Sequence, residues 1–163
     1  MWENYQAFLF NNANAPARGR ALLSRALQSV HKTEHRPLTA KFAAMEFKSA
    51  NGDAERGRTV FEGILAEWPK WSQGWDQFVD LERGLLKEGS ERGDVSHVRQ
   101  LFERMSKQKM KKRRARFVFK RWLEFEEGLA AKQSQAERVK ALAREYVEKQ
   151  QAGGADDEDE DEE

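Results

Sequence analysis

Apolar residues recur along this chain at spacings of three and four, and strict alternation is rare, so the pattern predicts helices rather than strands. Eight segments carry it, near residues 2–11, 16–30, 37–50, 54–67, 71–87, 94–107, 112–128 and 134–150. Punctuation falls between them. Asn14 precedes Ala15-Pro16, a capping residue followed by proline in the first turn. Pro37 suits the first turn of the third helix, and Pro69 separates the fourth from the fifth. Gly52-Asp53 and Gly93-Asp94 each offer a break followed by a capping aspartate, and Ser134 with Glu137 has capping-box spacing.

The pattern also repeats. "ARGRALLSRAL" (Ala17–Leu27) aligns without gaps on "ERGRTVFEGIL" (Glu55–Leu65) at an offset of 38. A further 41 residues place "RQLFE" (Arg99–Glu103) on "RTVFE" (Arg58–Glu62), and another 41 bring "KALAR" (Lys140–Arg144) to the same place. A different helix precedes each copy. It reads Trp75, Phe78, Glu82 in one case and Phe119, Trp122, Glu126 in another. Thr39, Phe42, Glu46 keep part of this signature, and Trp2, Tyr5 keep the aromatics with Leu9 in the acid's place. Offsets of three and seven share one helix face, so these aromatics fill the seam with the neighbouring helix, as do Phe61 and Phe102 from the other side. Each acid is expected to bond a helix terminus or an arginine such as Arg58 or Arg99, because a buried unpaired carboxylate costs several kcal/mol.

One hairpin cannot bury its own apolar faces, so its neighbours must stack on it. The expected architecture is all-α, a right-handed superhelical solenoid of antiparallel helix pairs with about four repeats over residues 1–151. Residues 152–163 are expected to form a disordered acidic tail. Trp2, Tyr5 and Phe8 leave the first helix without a polar outer face, which reads as the end of a longer array, whereas the acidic tail reads as a true C-terminus.

Composition narrows the chemistry. The chain has no cysteine, which excludes disulfides and thiolate metal sites and suits a reducing compartment. No apolar run approaches a membrane span, and "MWENYQAFLF" lacks the features of a secretory signal. The formal charge of +1 hides a separation. Eight of the 28 acidic residues lie in Asp156–Glu163, so the remainder, with 29 Lys and Arg, carries +9. A basic body attracts polyanions, and an acidic tail competes for the same surface.

Catalytic chemistry has little support. His31 and His35 fall in a predicted loop, His97 has no nucleophile pattern around it, and no glycine-rich phosphate loop follows a strand. Glu46, Glu82 and Glu126 stand one repeat apart, too far to flank one bond. No metal, cofactor or small-molecule substrate is expected. The positive charge concentrates in "KQKMKKRRARFVFKRW" (Lys107–Trp122). On a helix starting at Lys112, residues Ala115, Val118, Phe119, Trp122 and Glu126 share the packing face. Arg113, Arg116 and Lys120 form a stripe away from it, with Arg114 and Arg121 on the other flank. Lys111, Lys112, Arg113 and Arg114 oppose the helix dipole, so local stability does not explain them. The readings open for this run are a polyanion grip, a nuclear address and a solvated face.

The two helix signatures together resemble the HAT (half-a-TPR) repeat, over residues 1 to about 150. The departures are Leu9, Thr39 and the degenerate last helix. HAT arrays imply eukaryotic RNA processing. The stretch "AKFAAMEFKSANGDAERGRTVFEGILAEWPKWSQGWDQFVDLE", with "VRQLFERM" and "FVFKRWLEFEE", is similar to the C-terminal repeats of a family of large nucleolar ribosomal RNA processing proteins, the programmed cell death protein eleven family. That resemblance implies a nuclear and nucleolar scaffold in pre-ribosomal RNA processing, within the small-subunit processome. Its partners would be protein components of pre-ribosomal particles, with pre-rRNA held through phosphate contacts. The alternatives are a HAT subunit of splicing or 3′-end processing, and a direct RNA-binding protein acting through residues 107–121.

Overall fold

The computed structural model describes residues 1–87, 89 and 91–152; of the tail expected over 152–163, Ala152 is the last residue of a helix and residues 153–163 lie outside the described ones. Among the described residues every regular element is helical: α1 (Trp2–Asn11), α2 (Pro16–Ser29), α3 (Lys32–Lys48), α4 (Ala54–Glu67), α5 (Ser72–Lys87), α6 (Val95–Ser106), α7 (Lys112–Glu127) and α8 (Ala136–Ala152). Two compact units divide inside α6, Met1–Val98 and Arg99 onward.

Several boundaries differ from expectation. Helix α3 starts at Lys32 rather than residue 37, so Pro37 lies inside it and forfeits one helical hydrogen bond. His31 supplies the N-cap, with its Nδ1 facing the Thr33 N–H at 3.4 Å, and His35 is helical rather than in a loop. Asn14 does not cap α2. Ala15 holds the N-cap position, and Asn14 turns the chain with a left-handed φ of 45°. The two aspartates act as read: Asp53 accepts from Glu55 and Arg56 N–H, and Asp94 accepts from Ser96 N–H.

In the first unit, α3 packs on both α1 and α2, and α5 packs on both α3 and α4. Leu9, Leu22, Ala26 and Phe42 form one buried cluster, with Trp2 packed against it. Phe47, Phe61 and Phe78 form another, the last two stacked with centroids 4.9 Å apart. In the second unit Phe102 stacks on Trp122 at 5.8 Å, and Phe119 contacts Tyr146. Trp75 is buried, while Tyr5 stands 45% exposed rather than filling a seam.

The repeated acids are the polar centre of this packing. Glu46 receives Arg20 Nε at 2.6 Å and Nη2 at 2.8 Å, and the backbone N–H of Asp53 at 2.8 Å. Glu82 receives the same two nitrogens of Arg58 at 2.6 and 2.8 Å. Glu126 receives those of Arg99, both at 2.8 Å, and the N–H of Gln135 at 2.8 Å. The arginine always comes from the helix before the acid, so the fork ties one hairpin to the next. Two parallel bonds from a planar guanidinium fix both distance and orientation, which a lysine could not do.

Arg92, in the α5–α6 connection, makes a contact that local sequence patterns do not suggest. Its Nη1 and Nη2 donate to the carbonyls of Glu46, Phe47, Ser49 and Gly52 at 3.3–3.5 Å, at the C-terminal end of α3. Asn51 occupies the same place before Gly52-Asp53 that Arg92 occupies before Gly93-Asp94, and its Nδ2 donates to Phe10 O at 2.7 Å, near the end of α1. Each loop thus satisfies orphan carbonyls of an earlier helix. Arg92→Ala is expected to lower stability by about 1–3 kcal/mol, with Arg92→Lys recovering only part, measured by urea unfolding. An unchanged midpoint would show that these bonds add nothing net.

Candidate polyanion interface on α7

The segment from Lys111 to Arg121 contains seven cations and no acid. Lys111 is the N-cap of α7 and makes no capping bond with its side chain, and the first turn has no acid to balance the dipole. Ala115, Val118, Phe119, Trp122, Phe125 and Glu126 face the core. With 3.6 residues per turn, the remaining positions form one broad outward face. Lys111, Lys112, Arg113, Arg116 and Lys120 are exposed there, and Arg114 and Arg121 are half-buried.

Arg114 and Arg121 converge on Phe117, their guanidinium carbons 5.3 and 5.4 Å from its ring centre. Phe117 remains 45% exposed. Sequence reasoning assigned the aromatics of this run to the core and passed over Phe117. The signal was its phase, one residue away from both Val118 and Arg116, which places it among the cations. Lys120 lies 3.9 Å from Glu124, a loose exposed pair of small energetic weight. Lys112 and Arg116 turn toward α8, where with Phe119, Tyr146 and Val147 they line a groove of about 430 Å³. The start of α7 is held by Tyr146, whose hydroxyl donates to Met110 O at 3.2 Å and accepts from Met110 N–H at 3.3 Å.

A fixed helix carrying separated cations can neutralise successive phosphates without reading bases. An exposed aromatic beside two guanidiniums adds a surface on which a base can stack. Among the described residues no group of three or more His, Asp or Glu side chains is placed to hold a metal ion, and no helix is long and apolar enough to cross a membrane. His97 sits 3.7 Å from the Glu82 carboxylate, beside the arginine fork.

No protein-family model matches the chain. Comparison with curated proteins is decisive instead. The rRNA biogenesis protein rrp5 of Schizosaccharomyces pombe is 42% identical over 147 residues, 90% of this chain. Over these residues the chain belongs to the RRP5 family. A human relative, Protein RRP5 homolog, is 37% identical over 148 residues, and the Arabidopsis thaliana rRNA biogenesis protein RRP5 is 33% identical over 128. The match agrees with the family resemblance read from the motifs. The chain spans less than a tenth of the RRP5 relatives it matches, 8% of the S. pombe protein and 7% of the human one.

Proposed function

We propose that this RRP5-family region is a non-enzymatic docking module in ribosomal RNA biogenesis. In this reading it is a HAT-type helical solenoid that joins protein components of nucleolar pre-ribosomal particles, including the small-subunit processome, and holds RNA phosphate along α7. The names of the relatives support rRNA biogenesis over splicing or 3′-end processing. The observation that carries the RNA contact is the acid-free run from Lys111 to Arg121, whose cations at the start of α7 work against the helix dipole.

The test uses Lys111, Arg113 and Lys120, which point away from the α8 groove. Changing all three to Gln in the 163-residue chain is expected to weaken binding of single-stranded RNA and to flatten the slope of log K against log salt by about two units. Phe117→Ala should weaken binding further without altering that slope, because stacking releases no counterions. Fluorescence anisotropy across a salt series measures both effects. Unchanged affinity and slope in the triple variant, with circular dichroism and thermal midpoint intact, would overturn the phosphate reading.

A further inference from the structure

The groove between α7 and α8 repeats, position by position, the surfaces on which α3 and α5 are seated. Where α5 meets α3 and α4, four features define the seat. Arg58 grips Glu82. Phe61 stacks on Phe78, and Leu65 is buried four residues further along α4. Arg36 lies over Trp68 and Trp71, 5.0 and 4.9 Å from their rings, at the lead into α5.

The repeat register carries each of these onto the last pair of helices. Lys140 stands in the place of Arg58, Ala143 of Phe61, and Val147 of Leu65, through the successive offsets of 41. Aligning Glu46 with Glu126 puts Arg116 in the place of Arg36. Arg116, Phe119, Ala143 and Val147 all line the groove, which is formed by α7 and α8 alone and has no acidic lining residue. Val147 is 52% exposed where Leu65 is 2% exposed. Lys140 is engaged only locally among the described contacts, donating to the exposed Glu137 at 2.8 Å.

We infer that this groove is the docking site for an amphipathic helix of a partner protein. That helix carries two aromatics three residues apart and a carboxylate four residues after the second, the pattern of Trp75, Phe78 and Glu82. Its aromatics fill the space above Ala143 and Val147, its carboxylate meets Lys140, and an aromatic at its lead lies over Arg116. Lysine in place of arginine suits an exchangeable partner, since it offers a point charge rather than a fork. Two occupants within reach of the same chemistry fit less well. In α1 of a second copy, Leu9 replaces the acid and is already buried, with Trp2 packed on the same cluster. Residues 153–163 contain only Gly, Ala, Asp and Glu, and so bring no aromatic.

The probe is a labelled synthetic peptide with the sequence of residues 69–87, titrated into the full 163-residue chain. Saturable binding is expected, weakened at least about tenfold by Val147→Asp. Lys140→Glu should weaken it too, and a peptide with Glu82→Lys should bind the Lys140→Glu chain better than the wild-type chain. Val147 is exposed and Lys140 half-buried, and both lie outside the cations used in the RNA test, so this proposal and the RNA reading stand or fall separately. Absence of binding, or binding indifferent to both Val147→Asp and the charge exchange, would overturn the inference. So would sedimentation showing that the wild-type chain self-associates through Val147, which would make a second copy the occupant.

Discussion

Glu126→Ala is expected to cost about 3–5 kcal/mol, measured by chemical denaturation of the full chain. The carboxylate is fully buried, and its loss leaves the Arg99 guanidinium with Gln133 O and water alone and the N–H of Gln135 without its acceptor. The cost lies in the groups left unpaired rather than in the net value of the ion pair. Burial alone would push the Glu126 carboxyl up. The Arg99 and Gln135 hydrogen bonds and the Arg99 charge outweigh that effect and hold it below the ordinary range. A carboxyl depressed in the folded state stabilises fully above its unfolded value of about 4.3, and that contribution fades as pH falls through the folded value. The stability gap between wild type and Glu126→Gln should therefore narrow on acidification below about pH 4. A gap that stayed constant with pH would show that the fork does not set this group's ionisation.

The second large effect is expected at Phe47, with a conditional rescue. Phe47→Ala should cost about 3–5 kcal/mol, because the ring is buried against Phe61 and Phe78. Gly57 makes room for that ring: a Cβ there would come within 2.5 Å of Phe47 and 3.2 Å of Ala43 O. Gly19 does the same for Phe10, with a Cβ 2.5 Å from its ring. The later repeats exchange the volumes. Val98 and Val139 stand at the glycine position and are buried, whereas Arg83 and Glu127 stand at the phenylalanine position and are not. Gly57→Val should thus destabilise the wild type by about 1–3 kcal/mol. In the Phe47→Ala background the same change should be neutral or stabilising, because the valine enters the vacated space. A double-mutant cycle showing simple additivity would sink this account.

The helices and their repeat were legible because they rest on periodicity, which the chain states many times. Glu46, Glu82 and Glu126 were legible as buried acids because a charge on a packing face demands a partner, and Arg58 and Arg99 lay at the matching positions. That Glu46 would take Arg20 was equally available from the offset of 38. The start of α3 was misread because Pro37 favours a first turn, whereas here the His31 cap and the residues after it form a turn ahead of it. Arg92 escaped for a different reason: its acceptors lie 40–46 residues away, and nothing local marks an arginine that will meet carbonyls. In α7 helical phase kept the cations off the packing face, with five of the seven exposed and Arg114 and Arg121 half-buried. Phe117 was overlooked because its neighbours Phe119 and Trp122 satisfied the expectation for an aromatic run.

The arginine forks also bear on how the molecule comes apart. A fork such as Arg20 to Glu46, with Asp53 N–H on the same carboxylate, spans the end of one hairpin, the first helix of the next, and the entry to the helix after that. Peeling away α1 and α2 alone would strip Glu46 of its guanidinium and leave only the Asp53 N–H on that carboxylate. The smallest unit that can open cleanly is therefore larger than the hairpin the repeat suggests. In native-state hydrogen exchange, the amides of α2 and the first turn of α4 should share one opening free energy, although a whole helix lies between them in sequence.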